Sequence, residues 1–260
     1  MNGFSEDRKS RILYELDNFG KVSVRKLAER LKVTPETIRR DLDDLEGQRK
    51  LKRIHGGAIK ISYDKIEPSY MSRQNIFKTE KKKIGMKAAS LISDGDIIAL
   101  DVGTTTCEIL NFLEGKSDLT VLLNSVFALN YLIERQMQGT FHGKIIFLGG
   151  EINIDQMSCF GPISENLMTQ FYVDKAFIAI GGMSIDHGIT GYDIYETNLS
   201  KMLIQNAKEV IVVSDRSKIG VRNFYKVADF DAVDIVISDT AEPSEWSNSL
   251  EQLGVQWLKA

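Results

Sequence analysis

The stretch Lys32-Val33-Thr34-Pro35-Glu36-Thr37-Ile38-Arg39-Arg40-Asp41-Leu42-Asp43-Asp44-Leu45 carries the start signals of a helix. Thr34 can accept a hydrogen bond from an orphan first-turn amide, Pro35 is tolerated at the first helical position, and Glu36 suits the positive end of the helix dipole. Ile38, Leu42 and Leu45 recur at helical spacing and predict an inward face for a helix running to about residue 46. Thr37, Arg39, Arg40 and Asp41 fall off that apolar stripe.

Two further helices are expected upstream. Ser23 is placed to cap a helix whose apolar face is Val24, Leu27, Ala28 and Leu31, with Lys32-Val33 as the short link to the third helix. Before it, Ile12, Leu13, Leu16 and Phe19 space a helix over residues 6–18, stopped by Gly20. Two short helices joined by a tight turn, the second capped and arginine-bearing, predict a helix-turn-helix. The amino-terminal half of such a recognition helix enters the major groove, which makes Thr34, Glu36, Thr37, Arg39 and Arg40 candidate base or phosphate contacts. Downstream, residues 50–57 alternate polar and apolar before Gly56-Gly57. They predict a two-stranded wing that lays Lys50, Lys52, Arg53 and His55 along the DNA backbone. The competing reading is a small helical bundle with solvated surface arginines.

Charge supports the DNA reading. The 260 residues carry a net charge of −3, but residues 1–60 hold 15 Lys/Arg against 10 Asp/Glu and the remainder 18 against 26. A basic head on an acidic body is the asymmetry of a polyanion-binding module fused to something else. Only Cys107 and Cys159 are present, far apart, so no disulfide framework, metal site or metal cofactor is expected. The polar start lacks the apolar core of a leader, and no apolar run approaches the ~20 residues of a membrane helix. The expected location is the cytoplasm. His55 aside, the histidines have no expected role.

Length suits two domains. Residues 60–79 show no sustained period and contain Pro68, so the expected division is a DNA-binding head over 1–59, a linker over 60–79 and a body over 80–260. Ile61, Tyr63, Ile66, Tyr70, Ile76 and Phe77 need somewhere to pack, and the linker is expected to be ordered on the body. In the body, short β-branched runs at 97–100, 121–123, 145–148, 176–180, 210–213 and 233–237 alternate with helical patterns, among them residues 82–93, 126–137 and 198–208. This predicts an α/β fold with an open, doubly wound, largely parallel sheet, whose ligands bind beyond the carboxyl ends of the strands.

Small or polar residues succeed these runs. Asp101-Val102-Gly103-Thr104-Thr105-Thr106 leads into a helical pattern and can offer amides and hydroxyls to an anion, although such a loop is a plain helix cap about as often. Asn124-Ser125, Gly149-Gly150, Gly181-Gly182 and Asp215-Arg216-Ser217-Lys218 come after later runs. Ordinary turn chemistry explains each alone; together they predict a pocket.

These residues resemble a known family. Arg8, Ile12, Leu16 and residues 34–42, followed by Leu51-Lys52-Arg53-Ile54-His55-Gly56-Gly57-Ala58, resemble the winged helix-turn-helix of DeoR-family bacterial transcription regulators. Glu67, Arg73, Asp94-Gly95-Asp96, Asp101 to Thr105, Asn124-Ser125, Gly149-Gly150, Gly161-Pro162, Gly182, Glu196 and Asp215 to Lys218 resemble the same family's sensor domain. Arg49, Leu123, Ala179 and Ser200 depart from its usual pattern. The resemblance implies a ribose-5-phosphate-isomerase-like sensor domain in a homo-oligomeric repressor of carbohydrate metabolism, a dimer or tetramer, that leaves operator DNA when a phosphorylated sugar binds. It implies that Gly103, Thr104, Thr105 and Thr106 hold the phosphate with Lys218, that Asp101, Asn124 and Asp215 face hydroxyls, and that Ser125, Gly149, Gly150 and Gly182 line the pocket.

An isomerase-like enzyme with a fused DNA-binding head is the second reading, with Asp101, Glu196 or Asp215 as its base. A catalyst has no need of a basic helix-turn-helix, and the expectation is a regulator without catalytic residues.

Overall fold

A computed structural model describes residues 3–19, 21–47, 50–54, 56–59 and 67–260. It divides into two compact units, Met1–Tyr63 and Asp64–Ala260.

The first unit contains α1 (Gly3–Phe19), β1 (Lys21–Ser23), α2 (Val24–Leu31), α3 (Pro35–Gly47), β2 (Lys52–Ile54) and β3 (Gly57–Ile59). Ile12, Leu16, Leu27, Ile38, Leu42, Leu45 and Leu51 are almost wholly buried and form its core. At roughly 1.5–3 kcal/mol per fully buried aliphatic side chain, this small cluster is the main force holding three short helices together. Thr34 caps α3 as expected, accepting from Thr37 N at 3.2 Å. Ser23 stands at the N-cap of α2 without a side-chain bond; Val24 N donates instead to Gly56 O at 3.0 Å. The sheet supplies the missing acceptor, so the serine is not needed for it. The wing is also wider than two strands: β1 pairs with β3 and β3 with β2, all antiparallel. Asp41 is a second correction, because it is buried at 3% exposure and paired with Arg8.

The second unit opens with α4 (Tyr70–Arg73) and α5 (Lys78–Ala89) and then alternates strand and helix. Its strands are β4 (Ile97–Leu100), β5 (Thr120–Leu123), β6 (Lys144–Phe147), β7 (Glu151–Asn153), β8 (Ser158–Phe160), β9 (Val173–Ile178), β10 (Gly182–Ser184), β11 (Gly188–Gly191), β12 (Ala207–Ser214), β13 (Tyr225–Ala228), β14 (Ile235–Ser238) and β15 (Gln256–Lys259). The helices between them are α6 (Val126–Met137), α7 (Pro162–Met168), α8 (Ile194–Gln205) and α9 (Ser247–Leu253). Among the described residues seven strands form one parallel sheet, ordered β15-β14-β12-β9-β4-β5-β6. Both faces are covered. Ala99, Ala176, Ile178, Val212 and Val236 pack on one side with Leu199, Leu203 and Trp246; Ile98, Leu100, Phe177, Ile211 and Ile237 pack on the other with Ile84, Ala88 and Leu132. Burial on both faces is why these strands read as unbroken apolar runs.

Several boundaries differ from the expectation. α5 begins at Lys78, inside the expected linker, because its first turns are polar helix formers that leave no apolar period to detect. The segment after Gly103 is a 3₁₀ turn (Thr106–Phe112), not an α-helix. The edge strand β15 and the small antiparallel sheets β7-β8 and β10-β11-β13 carry weak or glycine-rich patterns and were not expected.

Strand order reverses at β4. From it the chain moves outward through β5 and β6, then returns to β9 on the other side and continues through β12, β14 and β15. The carboxyl ends of β4 and β9 therefore flank a topological switch point, where open α/β sheets bind ligands.

Candidate functional site

Two sites emerge, one in each unit. In the first, Thr34 before α3 and Glu36, Arg39 and Arg40 on it are exposed, with Thr37 half-buried among them. Arg8, Thr34, Glu36, Thr37, Arg40, Asp41 and Asp44 line a shallow concavity there. Arg39 pairs with Glu36 one turn back, at 2.9 Å. Arg40 has no hydrogen-bond or ion-pair partner among the described residues. Arg53 is engaged: Nη1 lies 3.2 Å from both Arg39 O and Asp43 Oδ1, and its amide donates to Glu46 Oε1 at 2.7 Å. Arg53 thus ties the wing to α3. Lys50 is exposed; Lys52 is described through its backbone alone, and His55 lies outside the described residues.

In the second unit a polar crevice opens at the switch point. Asp101 and Val102 come from the end of β4, and Ala179, Ile180 and Gly181 from the end of β9. Gly191, Tyr192 and Asp193 lead into α8, which contributes Glu196, Thr197 and Ser200; Glu67 comes before α4 and Arg73 ends it. Close approach explains two glycines. A Cβ on Gly103 would lie 2.6 Å from that of Ala179, and one on Gly181 would lie 2.7 Å from Asn223 Nδ2.

The crevice is crowded with buried charge. Asp101 accepts from Ser200 Oγ and from Val102 N, both at 2.8 Å, yet burial pushes its carboxyl up to about 7. Glu196 accepts from Ser158 Oγ at 3.2 Å; burial, with Glu67 and Asp101 beside it, raises it to about 8. Glu67 is raised by burial despite an ion pair with Arg73 at 2.5 Å. Three cations stand near. Arg73 Nη2 holds Gln156 Oε1 at 2.5 Å. Lys81 donates to Arg73 O at 2.8 Å and is drawn down by burial to about 8. Lys218 is lowered by burial and by Arg73, and its ammonium sits 5.7 Å from the Tyr192 ring centre.

Unmet hydrogen bonds mark the same place. Arg73 Nε, Thr197 Oγ1 and both amide atoms of Asn223 are buried without partners. An unpaired buried polar group costs about 1–3 kcal/mol, so polar groups orphaned beside one crevice are the signature of a site that a polar ligand completes.

The expected pocket residues divide. Asp101 lines the crevice, and Lys218 faces its charged groups. Gly103, Thr104 and Thr105 follow Val102 without lining the crevice themselves, and the Thr106 hydroxyl is bonded to Asp101 O and Gly103 O at 2.8 and 2.9 Å. Asp215 caps a turn by accepting from Ser217 N at 3.0 Å. The others make contacts within the body, and Asn124 Oδ1 is also buried without a partner. Asn124 Nδ2 donates to Cys159 O at 3.0 Å, Ser125 caps α6, Gly149 O accepts from Ser164 Oγ, Gly150 packs on Phe160 O, and Gly182 packs on Val221 O. The sequence reading gave no role to Lys81, Tyr192, Asp193, Thr197, Ser200 or Asn223. A usable signal existed in α8, where Glu196, Thr197 and Ser200 form a polar stripe on a helix otherwise committed to the core.

Among the described residues no His, Cys, Asp or Glu group is arranged to hold a metal, and no helix is long and apolar enough to cross a membrane. A helix-turn-helix joined to a parallel α/β domain with a ligand crevice defines a ligand-responsive DNA-binding regulator. Comparison with known proteins agrees: residues 8–63 match the DeoR-like helix-turn-helix domain and residues 76–240 the DeoR C terminal sensor domain. The chain belongs to the DeoR family of transcription regulators, and is a DNA-binding regulator rather than an enzyme. It is 33% identical over 255 residues to the HTH-type transcriptional repressor GlcR of Bacillus subtilis (strain 168), covering 98% of this chain and 96% of that one. It is 29% identical over 224 residues to the glycerol-3-phosphate regulon repressor of Escherichia coli (strain K12), covering 86% of each. Among solved structures, ribose 5-phosphate isomerase A from Methanocaldococcus jannaschii is 20% identical over 55% of each chain with a TM-score of 0.39, a likeness too loose to bear on function.

Proposed function

We propose that this protein represses a carbohydrate-metabolism operon in the cytoplasm and is released from its operator by a phosphorylated sugar. Thr34, Glu36, Thr37, Arg39 and Arg40 are the groove-facing set, with Lys50, Lys52 and His55 toward the DNA backbone and Arg53 bracing the wing. A homo-oligomer, dimer or tetramer, would present paired recognition helices to half-sites one DNA turn apart, roughly 34–36 Å. The effector reading rests chiefly on the crevice, where Arg73, Lys81 and Lys218 gather at the switch point beside unpaired polar groups.

The phosphate goes to the cation side, bordered by the 103–105 loop, and the sugar hydroxyls go to Asp101, Glu196, Thr197 and Asn223. Both carboxyls are held partly protonated by burial, so each can donate to or accept from a hydroxyl. A thermal-shift screen against hexose, pentose and triose monophosphates tests this, because a ligand that binds only the folded state raises the melting temperature. A specific shift with one phosphorylated sugar supports the reading; no shift with any of them removes it.

A further inference from the structure

The Arg73 guanidinium that borders the crevice already carries an anion. Glu67 is seated on it at 2.5 Å, with side-chain exposures of 15% and 14% for the carboxylate and the guanidinium. Lys218 acts on the same carboxylate. A phosphate arriving on this side of the crevice meets a carboxylate in its place. We propose that Glu67 is an internal competitor of the effector: the ligand's phosphate takes over Arg73 and Lys218, expels Glu67, and so frees the connector that leads into the DNA-binding unit.

This rests on the sugar-phosphate reading of the crevice. Charge favours expulsion over simple addition. Glu67 and Asp193 line the same crevice with the partly protonated Asp101 and Glu196, and a dianion added beside these acidic groups meets like-charge repulsion that falls when Glu67 departs. Arg73 is built to survive the exchange. Nη2 stays on Gln156, Nη1 changes partner, and Nε–H is buried and unpaired. A phosphate dianion is also the stronger acceptor for a guanidinium.

The position of Glu67 gives the exchange a consequence. The first compact unit ends at Tyr63, four residues earlier. On the other side of Glu67 the connector is clamped to the body. Gln156 Nε2 donates to Pro68 O at 3.3 Å, Tyr70 N donates to Asp155 O at 2.8 Å, and Tyr70 is 1% exposed. Loss of the Glu67 contact therefore acts toward the DNA-binding unit and leaves the clamped side in place.

The test is Glu67→Gln in the full chain. Calorimetry with a panel of hexose, pentose and triose monophosphates gives ligand affinity, and fluorescence anisotropy with promoter DNA gives ligand-free DNA affinity. If the seated carboxylate occupies about nine-tenths of the ligand-free population, removing its charge tightens ligand binding about tenfold. Ligand-free DNA binding should weaken toward the liganded wild-type value. A pair that only braces Arg73 predicts the opposite: looser ligand binding with wild-type DNA affinity, which would overturn the proposal. If no sugar phosphate binds the wild type, the effector reading fails separately, and wild-type DNA affinity in Glu67→Gln still overturns the latch. Should Glu67→Gln fail to fold, Glu67→Asp, one methylene too short to keep the 2.5 Å contact, decides by the same two measurements. Tighter sugar-phosphate binding with weaker ligand-free DNA binding supports expulsion, and looser ligand binding with wild-type DNA affinity overturns it.

Discussion

Arg8 on α1 grips Asp41 on the recognition helix through two hydrogen bonds, Nε to Oδ2 at 2.5 Å and Nη2 to Oδ1 at 2.9 Å. The aspartate is almost wholly buried, and the fork orients it while fixing the roll of α3 against α1. Arg8→Ala leaves a buried carboxylate unpaired and should destabilise the DNA-binding unit by about 3 kcal/mol. Arg8→Lys should recover only part of this, since an ammonium cannot reproduce the planar fork. Urea denaturation monitored through the first unit's transition measures it; wild-type stability in Arg8→Ala contradicts the assignment.

Arg39 and Arg40 differ in what they are free to do. Arg40 is unpaired among the described residues, whereas Arg39 must leave Glu36 before it can meet DNA. Arg40→Ala should weaken operator binding about tenfold or more, and should lower the salt slope by about one if the contact is a phosphate. Arg39→Ala should cost less. Full operator affinity in both variants would remove α3 as the reading element.

Much of this architecture was legible in the sequence, for physical reasons. Thr34-Pro35-Glu36 marked the start of α3 because caps and dipoles are local. Six strands of the parallel sheet announced themselves because burial on both faces leaves an unbroken apolar run. Asp41 was misplaced because its partner lies 33 residues away, and a charged residue at helical spacing reads as exposed until that partner is seen. The crevice was only half legible. Asp101 and Lys218 come after strands, where a ligand edge is expected, but Asn223 and Tyr192 arrive from segments whose positions depend on the tertiary fold. Gly150 and Gly182 sit at close packing contacts, and tight packing and ligand approach select the same amino acid.

Asp101 and Glu196 give stability a definite pH dependence. Burial raises them to about 7 and about 8 from ordinary values of 3.8 and 4.5, so the folded chain holds both protons more tightly than the unfolded one. Their contribution to stability is full below the unfolded values and is lost as pH rises through the folded ones. The ligand-free protein should therefore lose stability from these groups between about pH 4 and pH 8. Asp101→Asn should flatten that dependence. Scanning calorimetry at pH 5, 6, 7 and 8 checks this; an unchanged slope in the variant would show that Asp101 ionises normally.

Asn223 separates ligand binding from folding. Its amide is buried and unpaired in the ligand-free chain, so Asn223→Ala should lower stability little. It should weaken effector binding by about 1 kcal/mol, roughly fivefold, through loss of a hydrogen bond. Isothermal calorimetry and a melting curve on the same sample distinguish the two. A large drop in Tm with normal ligand affinity would make Asn223 a structural residue.

Lys218→Ala should remove the ligand response while keeping most ligand-free operator binding, because its cation adjoins the crevice and Arg73 still seats Glu67 without it. Gel-shift titrations across a range of effector concentrations test it. A variant that responds at the wild-type concentration would move the phosphate elsewhere.

The most direct measurement is an anisotropy titration of the full-length protein against DNA from its own promoter region, with and without each phosphorylated sugar at fixed salt. Preferential binding to that DNA over a scrambled duplex, with one sugar phosphate raising the dissociation constant about 5–150-fold, is the predicted result. Equal affinity for both duplexes, or curves unchanged by every ligand, would contradict the account.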